Sequence, residues 1–333
     1  MGLIAIEEHW TAPQLTRALE SLPPEDRDDS LLFNGGDKLA RLEDLGETRI
    51  AAMDAQGIEL SILGLAPPAT GPLRPADAAT LSRELNDLAA AAVKRHPTRL
   101  RALATLPMAD PRAVAAELER AAGLGAVGAM VYGRTGDIPL DDPRYDDLFA
   151  AAAALRQPIF IHPQIPTRAV RSASYSGLGA MTELALATFA WGWHLEAGLA
   201  ALRLIARGTF DRHPQLQIIL GHWGELLLFW LDRANSLTRI AGLQRSVSEY
   251  VRSNVYVTAS GMLNPALLRH AQAVTTSDRL IFSTDYPFQQ PTGAAIAAFL
   301  QEFPTDEDRN AFAHGSARRL FRLDSPLPQG PRS

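Results

Sequence analysis

Five ionisable residues stand where chemistry could gather. Glu7 and His9 lie two apart near the N-terminus, His162 and His222 each close a short apolar run, and Asp285 follows another. A spacing of two sends the Glu7 and His9 side chains to the same side of an extended strand and Glu8 to the other. A carboxylate turned inward without a partner is costly, so Glu7 calls for a metal ion or an arginine beside it. The chain has no cysteine, which removes thiolate metal sites, iron–sulfur clusters and cysteine nucleophiles together. Any metal must therefore sit on imidazole, carboxylate or other oxygen donors. Such a set suits Zn²⁺, Mn²⁺, Fe²⁺ or Mg²⁺, and donor type alone does not choose among them.

The run Gly221-His222-Trp223-Gly224-Glu225 adds an acid/base candidate. A helix starting near Gly224 would put Glu225 in its first turn, where the helix dipole favours a carboxylate and the side chain reaches back to His222. An imidazole oriented and charge-stabilised in this way is a useful general acid or base. The competing reading is a helix-capping glutamate beside a buried histidine. His96 and His213 precede prolines in loops, and His194 and His270 fall in helical patterns, facing outward or between helices. Lys38 and Lys94 are the only lysines. Both sit in polar stretches and read as solvated, which leaves Schiff-base and carbamylated-lysine chemistry without a carrier. No GxSxG motif supports a serine nucleophile.

The elements that would position these residues alternate. Short apolar runs at 3–9, 60–66, 101–107, 126–132, 158–163, 217–223, 255–260 and 280–287 read as strands, with helical patterns at 76–95, 111–123, 143–156 and 306–321 between and after them. Asp110-Pro111 and Asp142-Pro143 are helix starts. Eight such units in one chain predict a single (β/α)8 TIM barrel, whose strand C-termini share one rim and would bring the five residues together. A doubly wound open sheet is the rival, but no GxGxxG follows the first strand. Two insertions, 11–46 after the first strand and 164–182 after the fifth, fall on that rim. The barrel domain is expected over 1–325, with a tail at 326–333. The net charge is −5 and no basic face points to nucleic acid. No apolar run reaches membrane-spanning length, and the N-terminus lacks a basic leader, so a cytoplasmic protein is expected.

With these residues in hand, the sequence resembles the metal-dependent nonoxidative decarboxylases of the amidohydrolase superfamily, the group of γ-resorcylate, 2,3-dihydroxybenzoate, salicylate and 5-carboxyvanillate decarboxylases. The resemblance is carried by AIEEHW at the start, by the stretches 49–65, 85–111 and 140–149, by FIHP (160–163), by GHWGE at the end of 203–225 and by RLIFSTDYPF (279–288). It implies Glu7, His9, His162 and Asp285 as ligands of one divalent cation, Zn²⁺ or Mn²⁺ foremost and Mg²⁺ after them. It implies His222 and Glu225 as an acid/base pair behind them. Arg233, eleven residues after His222, is implied to reach a neighbouring subunit's site, hence a homodimer or homotetramer. Trp10 and Tyr132 depart from the family's residues and are expected to shape the pocket for a small aromatic carboxylate.

The chemistry so implied is loss of CO₂ from an ortho-hydroxybenzoate. The metal chelates phenolate and carboxylate, and Asp285 protonates the ring carbon that bears the carboxylate. The alternative on the same scaffold is a hydrolase of a lactone, C–C or amide bond using metal-bound water, with His222 as base. A third reading keeps the fold and only binds an aromatic ligand or a partner.

Overall fold

The computed structural model describes residues 2–324; the tail expected at 326–333 lies outside the described residues. Strands are β1 (Leu3–Trp10), β2 (Ile58–Leu65), β3 (Leu100–Ala102), β4 (Ala104–Thr105), β5 (Ala129–Tyr132), β6 (Arg134–Thr135), β7 (Ile138–Pro139), β8 (Ile159–His162), β9 (Ile218–Leu220), β10 (Val255–Thr258) and β11 (Leu280–Ile281). One parallel sheet runs β1-β2-β3 and a second runs β11-β10-β9-β8-β5-β4, with β6 and β7 a small antiparallel hairpin. The seventh and eighth predicted strands are shorter than expected, and the third breaks at Leu103, whose N–H bonds to Leu63 across to β2 while Ala104 bonds to Gly128 beside β5. At the other margin Ile6 N–H donates to Phe282 O at 3.2 Å and His9 N–H to Tyr286 O at 2.7 Å.

Helices connect the strands where the apolar periodicity placed them. The longest, Pro75–Arg95, buries Leu81, Leu85, Ala89 and Ala92, one stripe at helical spacing. Asp110 caps Pro111–Gly123 by accepting from Arg112 N, and Asp142 caps the turn Pro143–Tyr145 by accepting from Arg144 N. Both use the side-chain oxygen that a helix start requires. The expected closing helix is a run of three pieces, Asp306–Asn310, a wide turn Ala311–Gly315 and Ser316–Phe321. No helix among the described residues is long and apolar enough to cross a membrane.

Two apolar clusters separate the faces of the strands. The larger lies between strands and helices and includes Leu63, Leu65, Leu85, Val131, Ile161 and Leu220. The smaller is built from one face of the strands, Ile4, Ile6, Ile62, Leu103, Met130, Phe160, Ile219, Tyr256 and Ile281, and is met by Ala317, Leu320 and Phe321 of the last helix. Strand alternation follows from the pleat, which sends successive side chains to opposite faces. The face bearing the smaller cluster is called inner below.

Candidate active site

The site is the next layer of that inner face. Two residues beyond Phe160, Ile219, Tyr256 and Ile281 stand His162, Gly221, Thr258 and Ser283, carried inward by the same alternation. β1 breaks the rule to good effect. Ile4 and Ile6 face inward, so unbroken alternation would turn Glu8 inward too. Instead Ile6 pairs with Ile62 and Glu8 with the next residue, Leu63, leaving Glu7 as an unpaired bulge with φ of 82°. The bulge reverses the phase, so that Glu7 and His9 face inward while Glu8 and Trp10 face the helices. Glu8 accepts from the Thr284 N–H at 2.9 Å and the Thr284 hydroxyl at 2.6 Å, which ties β1 to the segment bearing Asp285. Fully buried Arg49 donates to the His9 carbonyl at 2.6 Å and stacks 4.8 Å from the Tyr286 ring.

Glu7, His9 and His162 offer ligand atoms within 4.8 Å of one another, and His9 Nε2 lies 3.2 Å from Asp285 Oδ1. The second oxygen of Glu7 is held by the hydroxyls of Thr258 (2.8 Å), Ser260 and Ser283 (3.4 Å). Its first oxygen, Oε1, is buried with no hydrogen-bond partner, as is His9 Nε2. His162 Nδ1 meets the Pro163 carbonyl at 2.7 Å, so its N–H is directed there and its Nε2 lone pair faces Glu7 Oε1 at 4.0 Å. Two acceptors facing each other across 4.0 Å with no donor between them are an arrangement that a cation would satisfy. The charges agree. Burial pushes Glu7 up to about 7, against the charge of His222, and pushes Glu8 and Asp285 up to about 7 as well. Burial and the nearby His222 charge lower His9 to about 3, and burial with its histidine neighbours lowers His162. The imidazole donors are thus neutral, the form a divalent cation takes up, whereas the raised carboxyls would release protons when a cation binds. Burying ions costs on the order of several kcal/mol each unless they are compensated.

His222 and Glu225 meet as expected, with Nδ1 to Oε1 at 2.8 Å. The local backbone differs from the expected helix start. Trp223, Gly224, Glu225 and Leu226 all have positive φ, so a left-handed turn folds Glu225 back onto His222. Glu225 has a second histidine, His194, expected to face outward or between helices. His194 Nδ1 lies 2.7 Å from Glu225 Oε2, and the two imidazoles pack edge to face at 4.5 Å. Burial opposes charge on both partners of the central pair, yet Glu225 raises His222 to about 10 and the two histidines lower Glu225 to about 2.

A cavity of about 570 Å³ opens over these groups. Phe33, Phe189, Trp191, Trp193, Met262 and Phe288 supply apolar walls, and His162, His222, Glu225 and Asp285 its polar surface. The segment 11–46 contributes Ser30, Phe33, Asn34 and Lys38. After β8 the lining comes from 189–194, beyond the insertion expected at 164–182. Lys38 is exposed, as expected of a solvated lysine, but it lies on this cavity.

Two expected pocket residues, Trp10 and Tyr132, lie off the main cavity, and Arg233, expected at a neighbouring subunit's site, lies on the surface. Trp10 is 1% exposed in the helix-side cluster, because the Glu7 bulge turns it away. Tyr132 backs His162 at 5.8 Å between ring centroids, donates to the Leu65 carbonyl at 3.2 Å, and lines a second cavity of about 630 Å³ with Arg134 and Gln164. Arg233, on the short helix Leu231–Ala234, is exposed and absent from the lining of the main cavity.

Comparison with known proteins agrees with this geometry. The amidohydrolase family matches residues 35–323. A γ-resorcylate decarboxylase of Rhizobium radiobacter is 34% identical over 97% of this chain and 99% of its own. The crystal structure of a 2,6-dihydroxybenzoate decarboxylase from Rhizobium superposes with a TM-score of 0.82 at 32% identity, covering 98% of this chain and all of that one. That of 5-carboxyvanillate decarboxylase from Novosphingobium aromaticivorans, complexed with manganese and 4-hydroxy-3-methoxy-5-nitrobenzoic acid, superposes with a TM-score of 0.87 at 30% identity, covering 96% of each chain. The chain belongs to the amidohydrolase family, in the group that holds these aromatic-acid decarboxylases.

Proposed function

We propose that this protein is a metal-dependent nonoxidative decarboxylase of ortho-hydroxybenzoate-type acids. The single observation that carries the reading is the pair of orphaned acceptors, Glu7 Oε1 and His9 Nε2, facing His162 and Asp285 beneath an aromatic-walled cavity. Glu7, His9, His162 and Asp285 would hold one divalent cation, Mn²⁺ or Zn²⁺. Such an ion supplies a Lewis acid and a template for an ortho phenolate and carboxylate. The aromatic walls clamp the ring and exclude water. The Asp285 carboxyl, which burial makes a weaker acid than an exposed aspartate, would deliver a proton to the ring carbon bearing the carboxylate. The C–C bond then breaks, its electron pair restores the aromatic ring and CO₂ departs. His222, kept charged by Glu225, steadies the negative charge of the substrate.

The scaffold reading is a closed (β/α)8 barrel with insertions on its active rim. It is supported by the hydrogen bonds that join the margins of the two sheets, Leu103 to Leu63 and His9 to Tyr286. A homodimer or homotetramer, with Arg233 turned toward a neighbour, is supported by exposed Phe229, Trp230 and Ile240 nearby in sequence. Incubating the manganese-loaded protein with ortho-hydroxybenzoates and with lactones separates the decarboxylase from the hydrolase. CO₂ and a phenol are expected from the first set. Hydrolysis of lactones with no CO₂ from any benzoate would overturn the proposal.

A further inference from the structure

The two oxygens of Glu7 are treated in opposite ways. Thr258, Ser260 and Ser283 are all buried, and their hydroxyls gather at Oε2. Two backbone N–H groups set the polarity of this cluster. The His222 N–H donates to Ser260 Oγ at 2.7 Å, and the Ser260 N–H donates to Ser283 Oγ at 2.7 Å. Ser283 in turn donates to Thr258 Oγ1 at 2.9 Å. A hydroxyl has one proton to give, and Thr258, at 2.8 Å, and Ser260 both give theirs to Glu7 Oε2. Oε1 receives nothing. It is buried without a partner, 4.0 Å from His162 Nε2. Glycine at 221 leaves it room, since a Cβ there would stand 2.8 Å away.

Turning the carboxylate to bring Oε2 forward would leave two buried hydroxyls without their acceptor, which is costly. The asymmetry matters to a substrate that chelates. An octahedral ion such as Mn²⁺ takes about six ligands. Glu7, His9, His162 and Asp285, giving one atom each, leave the two places that an ortho phenolate and a carboxylate need. A second oxygen from Glu7 would occupy one of them. We propose that Thr258, Ser260 and Ser283 are positioning residues that restrict Glu7 to the cation by Oε1 alone, and so keep a place open for the substrate. This rests on the decarboxylase reading above and on its cation site.

Thr258→Val removes one donor at nearly constant shape, and Thr258→Ser keeps it. Each variant is saturated with manganese, as checked by calorimetric titration, and the relaxation of water protons per bound ion is recorded without substrate. In Thr258→Val that relaxation falls by about the share of one exchangeable water on an octahedral ion, because Oε2 takes its place. KM for 2-hydroxybenzoate rises by about tenfold or more, the usual scale for losing a ligand's hydrogen-bond partner, and kcat changes less. Thr258→Ser restores both readouts. Ser283→Ala, which removes the donor to Thr258, moves both in the same direction by less, and carries the test if Thr258→Val fails to fold. Unchanged relaxation per ion in the valine and alanine variants would overturn the proposal, as would a loss that Thr258→Ser shares. Failure of the wild type to bind manganese would overturn the cation site and this proposal with it. Absence of CO₂ from ortho-hydroxybenzoates with manganese-loaded wild type would overturn the decarboxylase reading alone, since the relaxation readout needs no turnover.

Discussion

Glu225 engages a histidine with each oxygen, and the consequence belongs to His222. With Oε2 held by His194 at 2.7 Å, the carboxylate cannot rotate, and Oε1 stays on His222 Nδ1. His194 acts through Glu225 and is a positioning residue. Replacing it by Phe is expected to lower kcat by about 10- to 100-fold, the scale of a lost charged hydrogen bond, with KM changed by less than about threefold on that scale. His194→Gln, which keeps a donor, should recover part of the loss. Steady-state kinetics over a pH series checks this, because a lowered His222 pKa moves the alkaline limb downward. The role of His194 was hidden in the sequence for a geometric reason. Its partner lies 31 residues further on, and helical periodicity says which face a histidine occupies without saying what reaches that face. Glu7, His9, His162, His222 and Asp285 were legible because each follows a readable apolar run.

The elements place these residues by departing from ideal geometry at their ends. Glu7, His222, Glu225, Ser260 and Asp285 all carry positive φ, a conformation that costs non-glycine residues about 1–3 kcal/mol each and persists where surrounding packing fixes it. Strand and helix positions were legible from apolar period. The Glu7 bulge was not, since alternation from Ile4 and Ile6 points to Glu8; Trp10 was expected in the pocket from the resemblance alone, although the spacing that pairs Glu7 with His9 already sets it on the side of Glu8. The left-handed turn after β9 was equally silent, although Gly224 is its one permissive residue. Gly221 shows how little room these ends leave. A Cβ there would stand 2.8 Å from Glu7 Oε1 and 2.9 Å from Glu225 Oε1. Gly221→Ala should therefore fold, by circular dichroism, yet bind manganese at least about tenfold more weakly, because displacing a carboxylate ligand or its support typically costs 10- to 100-fold in affinity. Unchanged affinity by calorimetric titration would mean that the Glu7 carboxylate is not a ligand.

At the scale of the whole molecule, the fold buries three carboxylates, Glu7, Glu8 and Asp285, in one region and raises each to about 7. The sign of the resulting linkage is definite. Below pH 7 the metal-free protein holds protons on Glu7 and Asp285 that a cation must displace, whereas His9 and His162 are already neutral. Metal affinity should therefore fall as pH drops from 7 toward 5, by up to about tenfold per pH unit for each proton released. Calorimetry in buffers of different ionisation enthalpy counts those protons. An affinity independent of pH over this range would leave the carboxylates out of the site. The central claim is that Asp285 both holds the cation and delivers the proton that replaces CO₂. CO₂ release from an ortho-hydroxybenzoate, measured for manganese-loaded wild type and Asp285→Asn with metal content determined alongside, tests it most directly. The account predicts that the variant loses about 10²- to 10⁴-fold in kcat, the usual contribution of a positioned acid, even in samples that retain metal. Full decarboxylation by metal-containing Asp285→Asn would contradict it.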